Sequence, residues 1–535
     1  MCASATSPNL LTDPLIGVRL GDGATAAVSL PEVFARLAGN GVEAFTALAA
    51  YQRQGWYCLL VQMAALALHR AGLAAPPADA PAWAELLRGL TPGEPDDAPW
   101  CLVVDSPERP AFLQPPVRVG GMAAFGKRVD TPDGLDILVT AKDHDVKMAR
   151  VGRPRPEHWL YALVNVQTMQ GFLGRGNYGI VRMNGGFASR PRVGRAPAVD
   201  WAARWRRDLA VLRDGRAEVL ANHSEFPAAG GLALLWLEPW DAEEALPLSR
   251  LDPWCVEVCR RIRLTQSAGR IAAVTRPSNT PRIAPPELGG NVGDPWIPLD
   301  AKGTALTVGP GGLDHRLLAR LISADRAHAA PAQRPHPQDP AGDVLLCAEV
   351  LVRGQGRTEG LHERLIPVPA RARSFLDDSP ERVGEAAGQQ VEDAARMRLR
   401  VLKPALLTLA QGGPVLKDLT YDDRRADPWL DRFERLVDDA FFPALWSRLE
   451  DGDERPWLRT LAGFGRGVLR AAEDGMAIPT ARRPRAVARA GAAFEGLLRH
   501  TFPTLRATQE PTDGQPTDGQ PADGPGAPAD ARVDA

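Results

Sequence analysis

Residues 427–445 constrain the fold most. Asp427-Pro428 places an N-capping side chain ahead of a proline suited to the first turn of a helix. Trp429, Phe433, Leu436, Ala440 and Leu445 then recur at three-, four- and five-residue steps. Such a helix has one apolar stripe, and that stripe must be covered by another element. The covers lie close by in sequence. Trp457, Leu461, Phe464 and Val468 share a helical face, and helical patterns also run from about 385 to 411 and from about 484 to 502. Pro404 should kink or split the first of these. Four amphipathic segments with short connections predict an antiparallel four-helix bundle over 376–507.

The first 375 residues have a different texture. An apolar, alanine-rich stretch over 42–71 has helical character, whereas 137–140, 232–237, 344–352 and 361–368 read as strands. Long Gly/Pro/Arg-rich stretches separate them, and 327–342 reads as a flexible connector. The predicted class is therefore α+β: a large mixed α/β N-terminal domain with long loops (1–375), then the bundle. The final stretch, 508–535, repeats "PTDGQPTDGQPADG", has almost no apolar bulk and reads as a disordered acidic tail.

The 535 residues are enough for more than one domain, and a formal charge of -2 gives no global field toward nucleic acid. Any polyanion site must come from local patches. Six scattered cysteines fit free thiols in a reducing compartment. Cys255 and Cys259 would share a helical face, but no second Cys/His pair with zinc spacing follows, so buried thiols are expected. With no signal-like N-terminus and no apolar run long enough to span a bilayer, the reading is a cytoplasmic protein.

No P-loop, HExxH or GxSxG pattern is present, and no cofactor is expected. Three stretches carry possible chemistry. "AKDHDVK" (141–147) contains His144-Asp145, the adjacent ligand pair of metal-dependent HD hydrolases; a metal-dependent nuclease or phosphohydrolase is the alternative reading. Its further ligands would have to come from residues such as His158 and His223, which lie in no converging helical pattern. A polar loop in which Lys142 and Lys147 reach a phosphate backbone fits better. "GFLGRGNYGIVRMNGGFASRPRVGR" (171–195) has seven glycines, five arginines and no acid. It lacks the strand-turn-helix context of a dinucleotide fold. Arg175, Arg182, Arg190, Arg192 and Arg195 read either as phosphate contacts or as solvated arginines on a structural loop. "VRGQGRTEG" (352–360) reads as a hairpin tip between two strands, either a plain turn or one that presents Gln355 between Arg353 and Arg357.

Read in order, "NLLTDPLIGV" (9–18), "AKDHDVK", "YALVNVQTMQGFLGRGNYGIVRMNGGFASRP" (161–191), "GNVGDPWIPL" (290–299) and "RGQGRTEGLHER" (353–364) resemble the motifs of one family. That family is CasA, the large subunits of the type I-E CRISPR surveillance complex, Cascade. Leu15 and Gly17 depart from it, standing where Trp and Pro are usual.

The resemblance implies a non-catalytic subunit that recognises the protospacer-adjacent motif (PAM) in duplex DNA and helps open the duplex beside it. It also implies a platform for the helicase-nuclease. The implied partners are crRNA, target DNA and the backbone, small and handle-binding Cascade subunits. Carried over by position, the resemblance puts the glycine loop that lies against the PAM at Gly174, Arg175, Gly176 and Asn177. It puts the wedge at Gln355, with Arg353 and Arg357 as DNA-backbone contacts. It puts the basic finger at Arg282, with Arg276 as the alternative, and the crRNA-handle loop at Lys142, His144 and Lys147.

Overall fold

The computed structural model describes residues 7–39, 41–136, 151–185, 190–241, 244–284, 288–323, 327–354 and 357–506. The chain forms two compact units. The first comprises 1–395 together with 434–454; the second comprises 396–433 and the chain from 455 onward.

At the centre of the first unit is the helix Arg53–Ala71, buried continuously from Gln54 to Leu68. Its apolar residues face every direction, as an interior helix requires. Gly72 ends it in the left-handed region at φ 64°. Helices Pro156–Thr168 and Trp201–Asn222 pack around it, and Trp56 meets Tyr161 edge-on at 5.2 Å. The expected helix over 42–71 is thus shorter, because Ala44–Phe45 is extended and Ala50–Gln52 is a 3-10 turn.

Small sheets surround this core. Strands Val344–Gly354 and Arg357–Val368 form a long antiparallel hairpin, and Arg192–Ala196 adds to its outer edge. A second sheet orders Lys127–Val129, Arg270–Arg276 and Arg261–Ser267. The expected strand at 232–237 is extended only over Leu232–Leu234 before a 3-10 turn, and 137–140 lies outside the described residues. Cys255 is on a strand and Cys259 beyond it, not on a helix; both thiols are free and buried.

The 327–342 stretch is not a flexible connector. Ala332 and Gln333 are buried. The buried guanidinium of Arg207 donates to Ala332 O at 2.9 Å, Arg334 O at 2.8 Å and Asp339 Oδ1 at 2.5 Å. Backbone carbonyls satisfied by a buried cation hold the stretch against the core.

All four C-terminal helical segments form. Asp427–Asp451 begins on Asp427 itself, after a 3-10 turn. Its buried stripe is Leu430, Phe433, Val437, Phe441, Leu445 and Leu449, so it is rotated slightly from the expected face. Arg455–Gly475 and Arg483–Thr501 follow. Pro404 falls in the first turn of its own helix, set off from the one before it. The chain runs through Pro380–Arg396, one π-helical stretch Met397–Leu402, and Lys403–Ala410. The wider turn falls just ahead of the proline, where the missing N–H and ring would disturb an α-helical ladder.

The helices do not separate at 376. Residues 380–395 and most of Asp427–Asp451 belong to the first unit. There Gln390 Nε2 donates to Phe441 O at 2.7 Å, Trp446 Nε1 to Pro367 O at 2.9 Å, and His315 N to Asp438 Oδ1 at 2.6 Å. In the second unit, a Cβ on Gly465 would lie 2.7 Å from the Phe494 ring, so the helices carrying them pack through a glycine.

Candidate nucleic-acid interface

The glycine loop is pinched at its base, where Ile180 N donates to Gln170 O at 3.0 Å. At its tip Leu173 N donates to Asn177 O, and Asn177 N to Gly174 O, both at 2.9 Å. That turn needs positive φ at Gly174 (105°) and Gly176 (89°), conformations that favour glycine. The two glycines differ in surroundings. A Cβ on Gly174 would meet nothing within 4 Å, whereas one on Gly176 would lie 2.9 Å from the Pro277 side chain. Gly176 O also accepts from Ser278 N at 3.0 Å, so the 276–281 segment braces the loop. Arg175 and Asn177 stand exposed at the tip.

The loop base rests on Arg260 and Gln167. Arg260 donates through Nη2 to Gly171 O at 3.0 Å and through Nη1 to Tyr178 O. Gln167 fixes Arg260: its Oε1 accepts from Arg260 N at 2.8 Å, and its Nε2 donates to Arg260 O at 3.0 Å. Phe172 and Tyr178 lie 5.6 Å apart beside an apolar cavity of about 250 Å³ that Ile180, Pro281 and Ile283 also line. Nothing in the sequence marks Gln167 or Arg260 as supports, since each partner is distant or on the backbone.

Four of the five arginines in 171–195 are neither phosphate contacts nor solvated. Arg182 is buried against Glu257 at 2.5 Å, and Arg190 against Asp294 at 2.5 Å. Arg192 donates to both oxygens of Glu349, at 3.1 and 2.6 Å, across paired strands. Arg195 donates to Gln333 O at 2.7 Å and Asp377 Oδ1 at 2.5 Å. A buried guanidinium must be paired, and these are. Arg175 alone of the five remains exposed.

The long hairpin has the expected strands. Gly354 pairs with Arg357 in register, so the turn between them consists of Gln355 and Gly356, which lie outside the described residues. The Arg357 side chain is likewise outside. Arg353 is placed otherwise than as a backbone-contacting residue: it is buried, donating to Thr358 Oγ1 at 2.9 Å and to Asp136 O at 3.0 Å. The same Asp136 carbonyl accepts from Gln170 Nε2 at 3.4 Å. One carbonyl therefore joins the root of the hairpin tip to the root of the glycine loop.

The Asp136 carboxylate is also buried. It accepts from Gln52 Nε2 at 2.8 Å, Asn165 Nδ2 at 3.2 Å and Tyr51 OH at 3.3 Å. Burial pushes its pKa up to about 7 despite these donors and nearby Arg353. Asp136 is the last described residue before 137–150, so Lys142, His144, Asp145 and Lys147 lie outside the described residues.

The assignment of the basic finger to Arg282 does not fit its placement. Arg282 is buried and donates to Glu238 O at 2.8 Å and Pro239 O at 3.3 Å, with its guanidinium 5.2 Å from the Trp240 ring. Burial lowers its pKa to about 10. Arg276 instead ends a strand immediately before Pro277, the residue packed on Gly176.

The N-terminal motif has a local reason to carry glycine at position 17. Gly17 N donates to Glu157 Oε2 at 3.0 Å, and a Cβ there would lie 2.3 Å from Thr46 Oγ1. Proline offers neither the N–H nor the space. His158 Nδ1 accepts from Arg155 N at 2.9 Å, and His223 packs beside Phe226. Among the described residues, no three His, Cys, Asp or Glu side chains are grouped to hold a metal ion. No helix of the described residues is long and apolar enough to cross a membrane.

The architecture defines an α+β protein with a large loop-rich first unit and a helical C-terminal region. Its fold is that of CasA, also called Cse1. The Thermus thermophilus CasA (Cse1) structure matches with a TM-score of 0.60 and 16% identity, over 92% of this chain and 99% of that one. Thermobifida fusca Cse1 matches with a TM-score of 0.62 and 16% identity, over 93% and 98%. A chain of a CRISPR RNA-guided surveillance complex matches with a TM-score of 0.55 and 16% identity, over 92% and 99%. No family model and no curated protein sequence matches. At these identities the likeness is one of fold.

Proposed function

We propose that this chain is a CasA-type large subunit of a type I-E Cascade, a non-catalytic DNA-recognition protein that works inside a crRNA-guided complex. The carrying observation is the joint held at Asp136 O, where the braced glycine loop and the Gln355-Gly356 hairpin share one anchor. In this reading the loop tip, with Arg175 and Asn177 exposed, lies along the minor groove beside the PAM, where glycine at 174 lets backbone approach closely. Gln355 enters the base stack next to it. Unstacking one step costs roughly a few kcal/mol, offset by contacts to the distorted duplex. A fixed spacing between reader and wedge would direct opening to the base pair adjoining the motif. Sequence identity is then read by RNA–DNA pairing. Within this proposal, Arg276 replaces Arg282 as the basic finger, and the loop at Lys142, His144 and Lys147 meets the crRNA handle and neighbouring subunits. The same complex would receive the helicase-nuclease in antiviral defence.

The test is reconstitution of the complex with Gln355→Ala and with Gly176→Asp. The first should leave PAM-duplex binding in place and slow R-loop formation, and the second should weaken duplex binding itself. Wild-type R-loop formation by the first variant removes the wedge assignment. Wild-type duplex affinity of the second removes the glycine loop.

A further inference from the structure

The near-neutral formal charge of the whole chain conceals a strong separation. The second unit, over 396–433 and 455–506, carries 18 Lys and Arg against 8 Asp and Glu, a formal charge of +10. Residues 507–535, which follow it directly, carry six acids against one arginine, a formal charge of -5.

Five of these basic residues lie in or against the 411–421 segment. Gln411 closes that segment, donating to Thr420 O at 2.7 Å and accepting from Thr420 N at 3.0 Å. Arg485 donates to Gly412 O at 3.3 Å, Arg489 donates to Gly413 O at 2.7 Å, and the Arg482 side chain packs on Gly412. Arg485 and Arg489 share one face of the helix Arg483–Thr501, and Arg482 is the residue that caps its start. Lys417 sits exposed in the segment itself, and Lys403 lies 5.8 Å from the exposed Tyr421 ring. Val415, Leu416 and Tyr421 are 44%, 40% and 51% exposed between these cations. Asp423, by contrast, is already paired with Arg425. Asp418 and Asp422 are exposed there as well, but Lys403, Lys417, Arg482, Arg485 and Arg489 outnumber them, so the face keeps a cationic surplus suited to an extended acidic segment.

We infer that the acidic segment 508–535 is the intramolecular occupant of this face, a polyanion substitute that covers it when no other polyanion is bound. Charge complementarity and tethering both favour this segment over a partner in solution. A chain of this length has a root-mean-square span of roughly 30 Å, and a short tether gives an effective concentration of about a millimolar. Asp513, Asp518 and Asp523 recur every fifth residue, so neighbouring carboxylates can reach different cations on the face. The inference does not depend on the complex proposed above.

Lysine usage makes the test specific. The chain has only six lysines, and only Lys403 and Lys417 belong to the second unit. Zero-length carbodiimide cross-linking of the full-length chain, read by mass spectrometry, should join tail carboxylates to Lys403 or Lys417. The yield should fall about threefold or more between roughly 0.05 and 0.5 M NaCl. In the full-length variant E510Q/D513N/D518N/D523N, those links should disappear, and a labelled oligothymidylate should bind about threefold more tightly than to wild type. Tail links that are absent, or spread equally to Lys127 and Lys302, overturn the inference. So does oligothymidylate binding that is the same in both chains. The cross-linking arm requires no Cascade partner, so its failure is separate from failure of the proposed function.

Discussion

Arg353 donates a hydrogen bond to the main-chain carbonyl of Asp136 at 3.0 Å, across 217 residues of sequence. Gln170 donates to the same oxygen at 3.4 Å. The outer end of the hairpin and the start of the glycine loop are thus held to one main-chain oxygen.

Replacing Arg353 by methionine should therefore uncouple the two elements. The variant keeps apolar bulk but strands Asp136 O and Thr358 Oγ1 with fewer partners. The expected loss is about 2 kcal/mol in urea denaturation, the scale for a buried hydrogen bond from a charged donor. In the reconstituted complex, R-loop formation should fall more than PAM-duplex binding. Equal falls in both would show that Arg353 serves stability alone.

Asp136 should give the protein a distinctive pH dependence. Its folded-state pKa is raised from 3.8 to about 7, chiefly by burial. The folded state then holds this proton more tightly than the unfolded chain does. The stabilising contribution is complete below about pH 4 and is lost as pH rises through 7. Asp136→Asn removes the titration, so its stability relative to wild type should improve steadily over that window, by at most about 4 kcal/mol. Urea midpoints for both proteins at several pH values check the sign; a constant difference refutes the shift.

Arg175 and Arg182 are seven residues apart and should behave in opposite ways. Arg175→Ala removes an exposed side chain, so stability should change by less than about 0.5 kcal/mol. If that guanidinium meets a phosphate, the salt dependence of duplex binding by the complex should drop by about one ion. Arg182→Ala leaves Glu257 buried without its partner and should cost about 3 kcal/mol or more. Thermal unfolding and binding titrations at three salt concentrations separate the two.

The Arg192–Glu349 pair offers a test of charge against packing. Glu349→Ala should destabilise by about 3–5 kcal/mol, because it leaves the buried Arg192 guanidinium without its carboxylate, whereas Arg192→Ala should cost less, because Arg204 still donates to Glu349 Oε1 at 2.9 Å. The double replacement R192M/E349L should cost much less than the sum of the two single changes. A double-mutant cycle from denaturation midpoints measures this directly.

Much of the fold was legible because its signals are local. Alternating apolar residues and the glycines at 354 and 356 marked the hairpin, and helical periodicity marked all four C-terminal segments. The arginines of 171–195 were not legible. Their acid partners, Glu257, Asp294, Glu349 and Asp377, lie between 75 and 182 residues away. Composition therefore showed an unbalanced basic stretch where the folded chain has paired ions. The burial of Arg282 was not legible for the same reason: the main-chain carbonyls to which it donates leave no mark in sequence. The boundary at 376 followed a change of texture, but packing assigns residues 380–395 and 434–454 to the first unit. Gly174 and Gly176 were readable as glycines with a purpose, whereas Pro277, which makes Gly176 indispensable, was not.

The split composition of the first unit has a consequence during synthesis. Its body ends at Ala395, but Asp438, Phe441 and Trp446, which bond to His315, Gln390 and Pro367, come from 434–454. A ribosome adding about 5–20 residues per second needs several seconds more to reach them. Throughout that delay the strand carrying Pro367 emerges without its cover. A nascent chain released there, or a fragment cut at 375, would expose that surface to its neighbours. Premature termination in this window should therefore be a greater hazard to the cell than loss of the last thirty residues.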